Sequence, residues 1–102
     1  MIDYMKLQAF AELVQKEQIE KLIEDSLDCE ANKRDAQTKI KLGPKYTKVD
    51  IGRSGRFMVV NDTGEIFGIK AYGQVHKGHA YGTLDTTAEW YWGDYYPKRR
   101  PV

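Results

Sequence analysis

Residues 56–84 read RFMVVNDTGEIFGIKAYGQVHKGHAYGTL, and this run decides the fold because it places two turn signals inside one stretch of strand-forming residues. Asn61-Asp62-Thr63-Gly64 has the make-up of a type I turn closed by a left-handed glycine, the three-residue hairpin loop with a G1 bulge. Such a loop pairs Asn61 with Glu65 and sets Val59 opposite Phe67 and Phe57 opposite Ile69. Strand alternation then gathers these four side chains on one face, the expected core face. The second strand would add Ala71, Gly73 and Val75. Lys77-Gly78 reads as a second, two-residue turn that pairs His76 with His79 and returns Ala80, Gly82 and Leu84 to the same face.

The opposite face then receives Arg56, Met58, Ile66, Lys70, Tyr72, Gln74, His76, His79, Tyr81 and Thr83, an interleaving of aromatic, basic and amide groups. Ala-Tyr-Gly occurs twice, at 71–73 and 80–82, each time with tyrosine outward and small neighbours inward, where another element can approach closely. Two readings of this outer face stand side by side. It is a binding platform, or it is covered by another part of the chain and the tyrosines are core, as Met58, Val60 and Ile66 would favour.

With 102 residues the chain has room for one domain and one modest core. Its 41% hydrophobic and 30% charged content is ordinary for a globular protein, with tyrosine frequent at 7 residues. No run approaches the roughly 20 apolar residues that span a bilayer, and the N-terminus lacks the layout of a signal peptide, so the expected location is the cytoplasm, without membrane contact. The single Cys29 cannot form an internal disulfide and is expected to be a buried or incidental thiol. The net charge of +1 conceals a segregation: residues 1–38 carry five bases against nine acids, and residues 39–102 carry eleven bases against six acids. An anionic partner for the C-terminal part, or solvated faces of both signs, would account for this.

From Asp3 to about Leu27 there is neither glycine nor proline, and the composition predicts a helix capped by Asp3. Its apolar residues fall on two sides, Leu7, Phe10, Leu13 and Val14 on one, Ile19, Leu22, Ile23 and Leu27 on the other. Either the helix breaks near Gln15–Gln18, or the second set makes a homodimer, the favoured reading. Residues 28–37 continue or restart the helix. Thr38–Leu42 and Tyr46–Ile51, divided by Gly43-Pro44, alternate as strands or extended arms with lysine on the outer side. Gly52–Arg56 reads as a basic turn. Thr86 and Glu89 stand at capping-box spacing, predicting a short helical turn that carries Trp90 and Tyr91, with an edge strand as the alternative. Trp90, Tyr91, Trp92, Tyr95 and Tyr96 are too many aromatics for so short a segment to bury, so some cover the platform or face a partner. Residues 97–102 read as a flexible basic tail.

The fold expected is therefore α+β: one domain with a helical, acidic part over 1–42, then a small twisted antiparallel sheet over 43–96. The chemistry that fits is single-stranded nucleic-acid binding, which needs aromatic faces for bases and cations for phosphates. The candidate residues are Arg53, Arg56, Lys70, Tyr72, Gln74, His76, Lys77, His79, Tyr81, Trp90, Trp92, Lys98, Arg99 and Arg100. No RNA-recognition, KH or zinc-finger signature accompanies them. His76 and His79 offer two imidazoles but no second ligand pair, so no metal or other cofactor is expected. No nucleophile elbow or paired-carboxylate motif points to catalysis. A protein-binding module fits the same tyrosine, tryptophan and arginine content, as interface anchors and rim.

Val49-Asp50-Ile51-Gly52, Arg56-Phe57-Met58-Val59-Val60, Thr63-Gly64-Glu65-Ile66-Phe67-Gly68-Ile69-Lys70, Tyr72-Gly73 and Tyr81-Gly82-Thr83-Leu84-Asp85-Thr86 all lie within Lys45–Thr87. This run resembles a group of short uncharacterised proteins carried by phages and prophages. The resemblance covers a little under half the chain and brings no catalytic residue with it. It implies a nucleic-acid-binding accessory protein, or a small inhibitor of a host function, including defence systems such as CRISPR.

Overall fold

The computed structural model describes residues 3–52, 54–71, 74–94 and 97–100, and for 70, 71 and 74–77 the backbone only. Asp3 starts α1 (Tyr4–Glu24) as expected, its carboxylate accepting from the N–H groups of Met5 and Lys6. The helix runs unbroken through Gln15–Gln18, so the alternative of a break there does not occur. A short α2 (Glu30–Asp35) follows; Cys29, just before it, is exposed. Among the described residues no helix is long and apolar enough to cross a membrane.

Five strands then form an antiparallel meander in chain order: β1 (Thr38–Lys41), β2 (Tyr46–Ile51), β3 (Ser54–Val60), β4 (Glu65–Ala71) and β5 (Gln74–Thr83). The architecture is the α+β one expected, but the register is not. The Gly64 N–H donates to the Val60 carbonyl at 2.7 Å, so the loop Asn61–Gly64 holds four residues, with Gly64 at φ +74°. Phe57 therefore pairs with Gly68, Met58 with Phe67 and Val59 with Ile66. Asn61 leaves the β3–β4 ladder because it serves the other side. Its N–H donates to the Lys45 carbonyl, its side-chain amide donates to the Gly43 carbonyl, and its side-chain oxygen accepts from Thr47. A shift of one residue exchanges the faces of a strand. Ile66 is fully buried, while Phe67 and Ile69, the expected core residues, are only half-buried.

The second hairpin also turns elsewhere. Ala71 pairs with Gln74, so the chain reverses between them, and Tyr72 and Gly73 themselves lie outside the described residues. His76–His79 is not a turn. Phe67 pairs with Ala80 and Gly68 with His76, which leaves Lys77, Gly78 and His79 as extra residues within β5. The glycine-bearing signal is expressed as a bulge in an edge strand instead of a reversal.

One face of the sheet carries the core. Leu7, Phe10, Ala11 and Val14 of α1 meet Val49, Ile51, Phe57, Val59 and Ile66 of the sheet, with Tyr81 and Leu84 from the end of β5. The gap that remains is filled by Trp92, which is 0% exposed and lies edge-on to Phe10 and Phe57 at centroid distances of 4.8 and 5.4 Å. A 3-10 turn at Thr87–Glu89 leads into this segment, without the predicted capping box, because the Thr86 hydroxyl accepts from the Thr83 N–H. Trp90 and Tyr91 form the edge-strand alternative, β6 (Trp90–Tyr91), paired with β7 (Lys98–Arg99). The chain is thus docked through residue 100, where a flexible tail was expected.

Exchanging the faces of β4 has a direct consequence for stability. Ile66→Ala should cost about 2–5 kcal/mol, as deletion of a fully buried side chain does. Phe67→Ala should cost less than half as much, although phenylalanine is the larger residue. Urea unfolding of the two variants checks the order, which the register with Phe67 in the core would reverse.

Candidate nucleic-acid interface

The aromatic platform expected on β4 and β5 is not assembled from the described residues. Tyr81 points into the core, 7% exposed, with its hydroxyl within 3.4 Å of where a Cβ on Gly68 would stand, and its ring packs edge-on to Phe57 and Trp90. His79 is half-buried beside it, 6.3 Å between ring centroids. Trp92 is wholly buried. Trp90 is half-buried against Tyr81 and Trp92, with the Arg99 guanidinium 5.6 Å from its centroid. Arg56 stands at the bulge between Val49 and Asp50 and lines a cleft with Gln18, Leu22, Asn32, Asp35 and Ile51. Arg53 and Tyr72 lie outside the described residues, as do the side chains of Lys70, Gln74, His76 and Lys77. Tyr81 is core because the one-residue shift turned the other face of β4, and with it of β5, toward the helix.

The C-terminal bases are engaged with acids. Lys98 lies 3.5 Å from Asp94, Arg99 donates to Glu89 at 2.8 Å, and Arg100 donates to the buried Glu17. Glu17 also accepts from the Trp92 N–H at 3.1 Å, while the Gln18 amide donates to the Trp92 carbonyl at 2.6 Å. These contacts fasten the 90–100 segment over α1. Burial, reinforced by Asp94, pushes the Tyr91 phenol above its ordinary 10.0. Of the residues expected to dimerise, Ile19 and Leu22 are half-buried within the chain, while Ile23 and Leu27 are each 55% exposed. The fold itself has taken up half of that apolar set.

What remains is the other face of the sheet, over which no described helix packs. Register and alternation place one row across all five strands: Lys41, Lys48, Met58, Phe67 and Ala80. Tyr46 and Val60 form the next row toward the loops at one end, and Lys39 pairs with Asp50 toward the other. Met58 is buried yet lies outside the core cluster, as expected of a side chain embedded among neighbours on the second face. Tyr46, Val60, Phe67 and Ile69 are half-buried, Lys39 and Lys41 exposed. Asp50 draws Lys41 to 3.4 Å, and the Lys45 ammonium sits 5.6 Å from the Tyr46 ring centroid. The alternating lysines of 38–51 were the signal for this face, and they read outward as expected.

Among the described residues no group of three histidine, cysteine or carboxylate side chains is placed to hold a metal. Comparison with protein-family models, curated proteins and solved structures finds no match for this chain.

The hold of α1 on the C-terminal segment should register in stability. Glu17→Ala leaves the Trp92 N–H and the Arg100 Nη2 without their shared acceptor and should cost about 3 kcal/mol. Glu17→Gln keeps an oxygen for the Trp92 N–H and should cost distinctly less. Chemical unfolding followed by tryptophan fluorescence measures both.

Proposed function

We propose that the protein binds single-stranded nucleic acid on the open face of its five-stranded sheet. The observation that carries this reading is the cross-strand row Lys41, Lys48, Met58, Phe67 and Ala80, flanked by Tyr46 and Val60. It combines what such a ligand needs on a rigid support. Phe67 and Tyr46 supply ring faces, and stacking on such rings contributes roughly 1–3 kcal/mol per base. Lys39 and Lys45 are exposed cations for phosphates, and Lys41, 3.4 Å from Asp50, and Lys48 would exchange present partners for phosphate. Val60, half-buried in the row of Tyr46, adds apolar surface beside that ring. Splayed bases can reach those half-buried rings, whereas a duplex keeps its base faces stacked inside and would offer only phosphates. A second copy of the chain is a poor occupant, since its own lysines would be brought against these.

The binding chemistry proposed is the one expected from the sequence, with Tyr46 and Phe67 in the stacking role given earlier to Tyr81 and lysines of β1 and β2 beside the C-terminal bases; Arg53, Tyr72 and the side chains of Lys70, Gln74, His76 and Lys77 lie outside the described residues.

Fluorescence anisotropy with labelled single-stranded DNA and RNA at about 50 and 200 mM salt tests this, because phosphate contacts weaken steeply over that range. Lys41→Ala with Lys48→Ala should flatten the salt dependence by about 1.4 in log–log slope, roughly 0.7 per phosphate contact on a single strand. Tyr81→Ala should act on stability, not on the salt slope. No binding at low salt would overturn the reading and direct the search to a protein target, the inhibitor role that the phage-like resemblance also implies.

A further inference from the structure

We infer that the outer face of α1 binds a second copy of this chain as an antiparallel helix pair, with Glu12 of each copy opposite Lys16 of the other. Spacing marks the face. Met5, Ala9, Glu12, Lys16, Ile19 and Ile23 follow one another at alternating steps of four and three residues, the repeat of a helix seam. At about 100° per residue they fall within roughly 80° of the helix circumference, on the side away from Leu7, Phe10, Ala11 and Val14. All are exposed except the half-buried Ile19, Met5 by 79% and Ile23 by 55%. Leu22, also expected in a dimer, lines the cleft with Asn32 and Asp35, and Leu27 lies past the helix end.

The occupant follows from the order of residues along this seam. Met5 and Ile23, Ala9 and Ile19, and Glu12 and Lys16 stand nine, five and two residues either side of Val14. A two-fold axis at that level sets each member of a pair against the other member in the second copy, over about 27 Å of helix. Apolar residues then meet apolar residues toward both ends, and the two central layers set Glu12 against Lys16, once in each direction. The Lys16 ammonium now lies 3.9 Å from Glu20 of its own helix, an exposed pair that contributes little and leaves it within reach of a second carboxylate. On the flank of the seam, Glu20 of one copy lies beside Lys6 of the other, which Asp85 already holds at 2.6 Å, so this flank adds little to the choice. A parallel pair would set Glu12 on Glu12 and Lys16 on Lys16. An antiparallel slip of one heptad would set Glu12 on Ile23 or Ala9. The first opposes like charges and the second buries an unpaired one. Because α1 packs on the sheet by its other side, both copies keep the open sheet face uncovered, and the dimer stands independently of the nucleic-acid reading.

One helix seam is a small interface, so the association is weak and depends on concentration. Sedimentation equilibrium of the full chain from about 10 μM to 1 mM should show the mass rising from 11.8 kDa toward twice that value. Glu12→Lys and Lys16→Glu, both at exposed positions, should each weaken association by about tenfold. An equimolar mixture of the two variants should restore it, as should both substitutions in one chain, because opposite charges face each other again. Wild-type protein that stays at 11.8 kDa throughout would overturn the dimer and leave the seam to another protein. Association unchanged by either reversal, or regained neither in the mixture nor in the doubly substituted chain, would overturn the antiparallel pairing.

Discussion

The buried carboxylate of Glu17 is the contact on which the rest of the arrangement depends. Of the core helix's polar side chains it is the one placed where apolar periodicity would continue the series Leu7, Phe10, Ala11 and Val14. A carboxylate there is tolerable only with donors around it, and the Trp92 N–H and Arg100 supply them. What changes along the helix is what it rests on. Its first half meets side chains of the sheet; its second half meets backbone. Gln15 accepts from the Thr38 N–H of β1 at 3.0 Å, and Gln18 donates to the Trp92 carbonyl. The polar run Gln15–Gln18, which interrupts the apolar pattern, is thus the seam that joins helix, first strand and C-terminal segment.

That seam decides the use of the aromatics. Holding the 90–100 segment over the helix drives Trp92 between Phe10 and Phe57, and Trp92 in turn gives Tyr81 an edge-on partner and Trp90 a tilted one. Aromatic pairs of this kind contribute about 0.5–1.5 kcal/mol each beyond the area they bury. In a chain of this size such a cluster is a large part of the core. A ring that carries the core cannot also stack on a ligand, so the same packing that stabilises the fold takes Tyr81 and Trp92 out of the expected platform and leaves the lysine-bearing face without a described helix over it.

Much of the fold was legible. Asp3 as cap, the uninterrupted helix composition, the Gly43-Pro44 division and the lysine alternation of 38–51 are local signals with local causes, and each led to the right element. The strand register was not legible, because the loop that sets it is decided by a distant partner. Asn61-Asp62-Thr63-Gly64 suits a three-residue or a four-residue loop equally well. The choice falls to Asn61, whose side chain bonds Gly43 and Thr47 across β2. The role of the C-terminal bases was hidden for the same reason: Glu89, Asp94 and Glu17 are near or far in sequence but adjacent only after β6 and β7 pair.

An error of one residue in a loop is therefore an error about function, not only about geometry. With three residues in the turn, Phe67 and Ile69 would face the helix and Ile66 would sit among the lysines. With four, the phenylalanine joins Lys48 and Met58 in one row, and the isoleucine fills the core. Composition is the same in both cases, and so is the segregation of basic residues toward the C-terminal part. What differs is whether a ring and a cation share a surface. Because side chains alternate strictly along a strand, that property is all or nothing across β4, and the hydrogen bonds of Asn61 determine it from the neighbouring hairpin.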